Sequence, residues 1–344
     1  MPRTEFNCLP TMIGSLPHTD PREACSLVRR FLGDIPAWPQ LPRLSPKENM
    51  YLQYSQGFPG AVVSGDRVYV DRSRDLTAPL EQLYRAYLEN DADKYPVSPE
   101  YAAGLHYCLG LDNLDPLAVK GQLTGPITWG LTVTDNEGRA ILYDDVLGDA
   151  VPRFLRLKAA WQEKALGKIS KKTIIFIDEP YLAAYGSTAT GSLSVAKVRE
   201  ALEEVFGGIS GLKGVHCCGN TDWSVLLGTS TDIISFDAYN YARSLSLYPA
   251  EVKGFLEKGG TIAWGIVPTE AEALAGETVA SLKDRLEEAM VPFTRNGLPF
   301  RQLVAQGLLT PGCGLASLPT PEAAARALEL LAGLSDKMRG RYRS

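Results

Sequence analysis

The feature that most limits the fold of this chain is a repeated alternation of short apolar β-type segments with helical patterns. The β-type segments are apolar throughout, which is typical of parallel strands covered on both faces. We predict eight strands, at residues 8–16, 35–41, 117–123, 173–177, 214–218, 232–236, 261–267 and 308–309. The predicted helices cover residues 21–31, 80–89, 99–109, 140–166, 195–206, 223–227, 249–258, 279–290 and 321–334.

Strands that alternate with helices in this way predict an α/β protein whose parallel sheet closes into a (β/α)8, or TIM, barrel. A doubly wound open sheet is the alternative, but no glycine-rich dinucleotide fingerprint follows the first strand. A Ser-Gly-Asp turn at residues 64–66 predicts a β-hairpin insertion after the second strand, within about residues 58–75. Without a repeat or a low-complexity linker, we predict one barrel domain, 1–344.

Charge and composition argue against several classes of function. A net charge of -5 gives no basis for binding nucleic acid or an anionic membrane. No segment approaches the ~20 apolar residues of a membrane helix, and the N-terminus shows no apolar signal segment. The six cysteines are irregularly spaced, which does not indicate a disulfide framework. We therefore expect a cytoplasmic protein without nucleic-acid or membrane partners.

Polar side chains collect where the predicted strands end. In a barrel, the carboxyl ends of all strands face one mouth, where the active sites of this fold lie. The candidates are Ser15 and His18 after the first strand, Gln122 on the third, Asp178 and Glu179 after the fourth, His216, Cys218 and Asn220 on and after the fifth, Asp237 and Tyr239 after the sixth, and Cys313 after the eighth.

A zinc site is the most specific hypothesis among these candidates. His216 and Cys218 are two residues apart on one predicted strand, so their side chains project to the same face. With Cys313, which glycines flank, they form a three-ligand set that is typical of catalytic zinc with an open fourth position. Asp237 either completes the coordination sphere or orients His216. Each residue alone is more often part of a core, and their combination favours zinc.

Among the remaining candidates, Asp178, Glu179 and Tyr239 have two interpretations each. Asp178 and Glu179 are either helix-capping and surface charges or carboxylates that hold a substrate ammonium or hydroxyl group at the mouth. His18 follows the first strand closely enough to reach the mouth as a general acid or base. Tyr239 either lines an apolar pocket or packs at the rim of the barrel.

The strand-end motifs resemble those of the catalytic barrel of cobalamin-independent methionine synthase. They also resemble the related methylcobamide:thiol methyltransferases of the uroporphyrinogen decarboxylase-like superfamily. The similar segments are 12–17 (MIGSLP), 177–180 (IDEP), 216–220 (HCCGN), 234–237 (ISFD) and 311–315 (PGCGL). The resemblance implies zinc ligation by His216, Cys218 and Cys313, with Asp237 in the place of a zinc-associated glutamate. We expect substrate contacts from Ser15, Gln122, Asp178, Glu179, Asn220 and Tyr239, and catalytic roles for His18 and Asp237.

The resemblance implies zinc-dependent transfer of a methyl group to a thiol. A thiol bound to zinc loses its proton but stays nucleophilic. The chain lacks the second barrel that helps bind methylfolate in the two-barrel synthase, so we predict a methylated corrinoid donor, either methylcobalamin or a corrinoid protein. Homocysteine is the first candidate for the thiol that accepts the methyl group. Because 182–184 (LAA) replaces a glutamate that contacts the amino acid in the family, a coenzyme M-type acceptor stays open. A metal-free decarboxylase and a non-catalytic corrinoid- or thiol-binding protein also remain as alternative functions.

Overall fold

A computed structural model describes residues 5–112, 114–185 and 193–342 of the chain. Seven parallel strands form one sheet in the order β1-β10-β9-β8-β7-β6-β4. These strands are β1 (Leu9–Pro10), β4 (Val119–Thr124), β6 (Thr173–Asp178), β7 (Leu212–Cys217), β8 (Ile233–Phe236), β9 (Thr261–Val267) and β10 (Gly307–Pro311). Their order follows the chain, with β10 returning beside β1, as the barrel prediction requires.

Residues 36–40 close the sheet between β1 and β4 as an irregular eighth stave. The Lys120 backbone N–H donates to the Pro36 carbonyl at 2.9 Å, and the Gln40 N–H donates to the Gly14 carbonyl at 3.0 Å. Proline has no N–H to donate, so Pro36 and Pro39 limit this stave to isolated bridges rather than a regular ladder. The predicted (β/α)8 barrel is confirmed, and its second predicted strand is this stave.

The inserted β-hairpin is also present. Strands β2 (Ala61–Ser64) and β3 (Arg67–Val70) pair antiparallel, and Gly65 in the turn has a φ of 63°, which favours glycine. A two-residue strand, β5 (Thr134–Asp135), adds to β3 in parallel. It was not predicted, because two residues carry no detectable periodicity.

Helices surround the barrel. They are α1 (Pro21–Phe31), α2 (Met50–Gln53), α3 (Thr77–Leu88), α4 (Ala103–Leu109), α5 (Pro126–Thr132), α6 (Asp145–Leu166), α7 (Val195–Phe206), α8 (Trp223–Leu227), α9 (Ala238–Ser246), α10 (Pro249–Glu257), α11 (Ala271–Gly276), α12 (Val279–Arg295), α13 (Phe300–Ala305) and α14 (Pro321–Tyr342). Helix α1 begins as predicted, because the Asp20 carboxylate accepts from the Arg22 N–H and Pro21 occupies the first helical position.

In the parts of the chain that the structure describes, no helix combines the length and apolarity needed to cross a membrane.

Candidate metal centre

The pleat of the parallel strands decides which strand-end side chains enter the barrel. On β6, Ile174 and Phe176 belong to an apolar cluster inside the barrel. Their neighbours Ile175 and Ile177 pack instead in the core between sheet and helices. Side chains alternate along a strand, so Asp178 continues the inner row at the carboxyl end of β6.

The same alternation directs His216 of β7 and Ser235 of β8 into the barrel. The two residues are partners in the β7–β8 register, and His216 Nδ1 lies 3.0 Å from the Ser235 hydroxyl oxygen. Cys217 follows His216 on β7, so its side chain points to the opposite face of the sheet and packs in the core under the helices. Cys217 is therefore a core residue and does not belong to the group at the mouth.

His216, Cys218 and Cys313 come together at the mouth, and their ligand atoms all lie within 4.8 Å of one another. His216 Nε2 is buried and has no hydrogen-bond partner among the residues that the structure describes. In the tautomer that a metal ligand needs, Nδ1–H donates to Ser235 and Nε2 presents its lone pair. One imidazole nitrogen and two thiol sulfurs form the donor set of an open catalytic zinc site, so these residues fit zinc.

The two thiols of the group differ in their readiness to ionise. A hydrogen bond from Cys313 and the adjacent His216 imidazole lower the pKa of Cys218 to about 4, although burial opposes this shift. The same thiol pair and burial raise the pKa of Cys313. Thiolates are the form that binds metals, so Cys218 is in its metal-binding form at neutral pH.

These three ligands lie in the wall of a cavity of about 680 Å³ at the carboxyl ends of the barrel strands. Ser15 and Asp178 line the same cavity. A Cβ atom on Gly314 would meet the Ser15 hydroxyl oxygen at 2.2 Å, so glycine is needed there to bring the Cys313 loop against Ser15. The cavity has the size of a small-molecule site.

Asp178 is a buried carboxyl group with unused hydrogen-bonding capacity. Its Oδ1 has no partner within the described part of the chain. Burial raises the pKa of Asp178 to about 6, while His216 and Lys120 oppose that rise. A polar group of a ligand in the cavity would supply the missing partner.

Lys120 of β4 is a charged residue inside the barrel that the sequence analysis did not single out. Its Nζ donates to the Ile13 carbonyl at 2.7 Å and to Gln122 Oε1 at 3.1 Å. Burial lowers the pKa of Lys120 to about 7, and the Asp178 charge opposes this shift. A lysine on a strand predicted to be buried, residues 117–123, was the available signal. Gln122, a predicted substrate contact, is thus engaged with Lys120 and does not line the cavity.

Glu48 lines the cavity and was also missed. It ends a short 3-10 turn, and its carboxylate accepts from the backbone N–H groups of Leu41 at 2.7 Å and Ala103 at 2.9 Å. These bonds join the cavity wall to the first residue of α4. A short irregular turn has no periodic pattern, so no sequence signal pointed to Glu48.

Glu179 follows Asp178 directly, so its side chain projects to the opposite face of the sheet, away from the cavity. Its carboxylate accepts from the N–H groups of Ile127 and Thr128 and from the Thr128 hydroxyl, at 2.6–2.9 Å. This binds it to the N-terminus of α5, where a negative charge is favourable. Glu179 therefore caps α5, as in its helix-capping interpretation, and the substrate contact predicted for it stays a prediction.

Asp237 and Tyr239 lie beside the site without joining the ligand group. Asp237 caps α9, with its carboxylate accepting from the Asn240 N–H at 2.9 Å and the Asn240 side-chain amide at 2.8 Å. The Tyr239 hydroxyl donates to Glu277 at 2.8 Å. The structure does not bring either residue into the cavity wall, and the roles predicted for them stay predictions.

His18 and Asn220 are likewise outside the cavity wall. His18 is buried; burial lowers its pKa, and the charges of Glu23 and Glu322 oppose this shift. Asn220 is exposed and accepts a hydrogen bond from the Ser244 hydroxyl at 2.7 Å. Their predicted roles as acid or base and as substrate contact stay predictions.

Comparisons with known proteins give a likeness in structure. No protein-family model matches the chain, and no curated protein matches it in sequence. A B12-independent methionine synthase from Shewanella sp. W3-18-1, solved with selenomethionine, is similar with a TM-score of 0.57 and 16% identity, over 97% of this chain and 98% of that one. A putative vitamin-B12 independent methionine synthase from Listeria monocytogenes is similar with a TM-score of 0.52 and 13% identity, over 92% and 86%. At these identities the likeness confirms the barrel fold.

Proposed function

We propose that this protein is a methyltransferase that methylates a small thiol at a zinc centre held by His216, Cys218 and Cys313. The observation that carries the proposal is the grouping of these ligand atoms, within 4.8 Å of one another, in the wall of a cavity large enough for a small molecule. Zinc in this site would supply a positive charge that keeps a substrate thiol deprotonated near neutral pH. The structural neighbours, which are titled methionine synthases, support this class of reaction.

The residues around the centre suit homocysteine as the acceptor. Asp178 offers a buried oxygen without a protein partner to the α-ammonium group, and Ser15 offers a hydroxyl to the α-carboxylate. We propose that these contacts direct the substrate sulfur toward the metal ligands in the same cavity wall. A coenzyme M-type thiol lacks the ammonium group, so it would leave Asp178 unpaired, and homocysteine is the better candidate.

In the reaction, the substrate thiolate attacks the methyl carbon of the donor. A sulfur–carbon bond forms, the bond between the methyl group and the donor breaks, and its electron pair stays with the donor. A methylated corrinoid releases cob(I)alamin, which needs no proton, whereas methylfolate releases an amine nitrogen that must be protonated. In the cavity wall, we assign His216 to the metal and Asp178 to the substrate ammonium group, so neither is assigned as a proton donor to a leaving amine. We therefore propose a corrinoid donor, free or on a partner protein.

The length of the chain does not decide between these donors. The Shewanella protein, which this chain matches over 98% of its length, is titled B12-independent. The expectation from chain length alone is therefore not sufficient, and the donor must be tested directly.

The proposal is tested with purified, zinc-loaded protein incubated with homocysteine, coenzyme M or cysteine. Each thiol is paired with methylcobalamin or methyltetrahydrofolate, and the methylated thiol is measured by mass spectrometry. We expect methionine from methylcobalamin and homocysteine, with loss of at least ~10²-fold in rate in Cys218→Ser and Cys313→Ser. A matched control is Cys217→Ser, whose thiol packs in the core rather than at the centre.

Other outcomes separate the alternatives. Methionine formed with methylfolate alone would keep the zinc chemistry and overturn the corrinoid donor. Wild-type protein that binds no zinc would favour a metal-free decarboxylase. Zinc binding without methyl transfer for every pair would favour a non-catalytic thiol- or corrinoid-binding protein.

A further inference from the structure

We propose that Cys25 of α1 and Cys108 of α4 form a redox-active dithiol, a modification site separate from the metal centre. Their sulfur atoms lie 2.7 Å apart, closer than two unbonded sulfurs normally approach. A disulfide bond of about 2.05 Å requires the two sulfurs to approach by less than about 1 Å. The inference does not rest on the proposed function.

The surroundings of the pair favour oxidation to a disulfide over reaction of either thiol alone. Cys25 is buried, and its Sγ donates to the Gly104 carbonyl at 3.6 Å, which holds it against α4. Cys108 is half-buried, so a small oxidant reaches it first. A buried thiol beside an accessible one is the arrangement in which a first oxidation product is resolved by its neighbour.

The chemistry balances with a peroxide as the oxidant. Peroxide oxidises the Cys108 thiol to a sulfenic acid and releases one water. The Cys25 sulfur then attacks the Cys108 sulfur; a sulfur–sulfur bond forms, the sulfur–oxygen bond breaks, and a second water leaves with the Cys25 proton. The hydrogen bond with the Cys108 thiol, together with burial, raises the pKa of Cys25, so Cys25 reacts as the resolving thiol rather than as the first nucleophile.

The disulfide would tie two helices that are each connected to the cavity wall. Helix α1 follows the loop that carries Ser15, and Ala103 at the start of α4 donates to Glu48 in the cavity wall. The cross-link joins residues 83 positions apart, which restricts the unfolded chain. Oxidation is therefore expected to raise the melting temperature measurably.

The test uses zinc-loaded protein treated with hydrogen peroxide, then alkylated in denaturant and digested without reductant. We expect a peptide pair linked through Cys25 and Cys108 with the loss of two hydrogen atoms, reversed by dithiothreitol. The count of alkylated cysteines should fall from six to four, and the melting temperature should rise by a few degrees.

Matched variants make the result specific. Cys25→Ser and Cys108→Ser should each abolish the link and the melting-temperature rise. The metal-site thiols are also close together, so a Cys218→Ser/Cys313→Ser variant serves as the control. It should retain both the Cys25–Cys108 link and the rise in melting temperature. The proposal is overturned if both cysteines of the folded wild type are recovered alkylated, or oxidised singly to sulfinic acid, with no linked peptide. Neither result bears on methyl transfer.

Discussion

At the scale of single residues, strand parity sorts the candidate site into residues that face the cavity and residues that support the barrel. Asp178 and Glu179 are adjacent in sequence, yet one enters the cavity and the other caps α5. Likewise His216 faces the barrel interior while Cys217 packs beneath the helices. A shift of one residue in either strand would exchange these roles.

Ser235 is predicted to orient the histidine of the metal centre. Its hydroxyl lies 3.0 Å from His216 Nδ1, so Ser235→Ala should free the ring and weaken zinc binding by roughly 10–100-fold. Competition with a chromophoric chelator measures this affinity. Ser244→Ala, which removes a hydroxyl bonded to Asn220, is the matched control. Unchanged affinity in Ser235→Ala would contradict an orienting role.

The sequence was sufficient to group His216, Cys218 and Cys313, because two-residue spacing and strand-end positions in a barrel bring them to one mouth. It was not sufficient for Lys120, Ser235 and Glu48. Lys120 and Ser235 sit inside strands whose apolar neighbours dominated the pattern. Glu48 is held by backbone groups of distant residues, which no local pattern records.

At the scale of elements, the predicted alternation is confirmed for the longer strands and helices of the structure, whereas only Leu9–Pro10 of the predicted strand 8–16 is a strand. Helices α1, α7 and α8 have the predicted bounds. The short helices α5 and α9 were not predicted, since their starts depend on tertiary contacts or a loop aspartate. Helix α5 begins under Glu179, a residue about 50 positions further along the chain. The second predicted strand, residues 35–41, was placed from the sequence, and its two prolines indicate the irregular pairing that the structure has.

Glu179→Ala tests the capping of α5. Removing the carboxylate leaves the buried N–H groups of Ile127 and Thr128 without their partner. We expect a loss of about 1–3 kcal/mol in the free energy of unfolding, measured by urea denaturation, with zinc content unchanged. Glu200→Ala, on the exposed face of α7, is the control. Loss of homocysteine affinity at unaltered stability would instead assign Glu179 to the substrate.

Lys158 in α6 gives the fold a pH-dependent stability. Its buried Nζ donates to the Pro96 carbonyl at 2.8 Å, and burial lowers the pKa of Lys158 to about 7. In the unfolded chain the pKa of this lysine is about 10.5. Between about pH 7 and pH 10.5 the unfolded chain therefore binds more protons than the folded protein, so the stability of the fold rises with pH in this range.

Lys158→Met removes this titration. The difference in unfolding free energy between the variant and wild type should change by up to ~1.4 kcal/mol per pH unit between about pH 7 and 10, in favour of wild type as pH rises. Urea denaturation across this range measures it. Lys164→Met is the control, because Lys164 lies on the same helix as Lys158 and forms an exposed ion pair with Asp93. Parallel curves for Lys158→Met and wild type would contradict the buried titration.

At the scale of the whole molecule, the barrel gathers ligands that are far apart in sequence, and this links zinc binding to folding. The ligands come from the end of β7 and from the loop after β10, 95 or more positions apart.

The single-domain boundary, the cytoplasmic location and the absence of nucleic-acid and membrane partners stay predictions.

Zinc should therefore stabilise the folded chain as a whole. Zinc at about 100 times its Kd is expected to add about 2.7 kcal/mol and to raise the melting temperature. Differential scanning calorimetry of metal-free and zinc-loaded protein measures this shift. Cys313→Ser should show little of it, whereas Cys217→Ser should retain it. An equal shift in Cys313→Ser would place the zinc elsewhere.

The central claim is that His216, Cys218 and Cys313 hold zinc with a position left for the substrate sulfur. X-ray absorption at the zinc edge of the loaded protein, without and with homocysteine, tests it most directly. We expect two sulfur ligands and one imidazole nitrogen from the protein alone, and a third sulfur ligand when homocysteine is added. A zinc environment that homocysteine leaves unchanged, or one without two sulfur ligands, would contradict it.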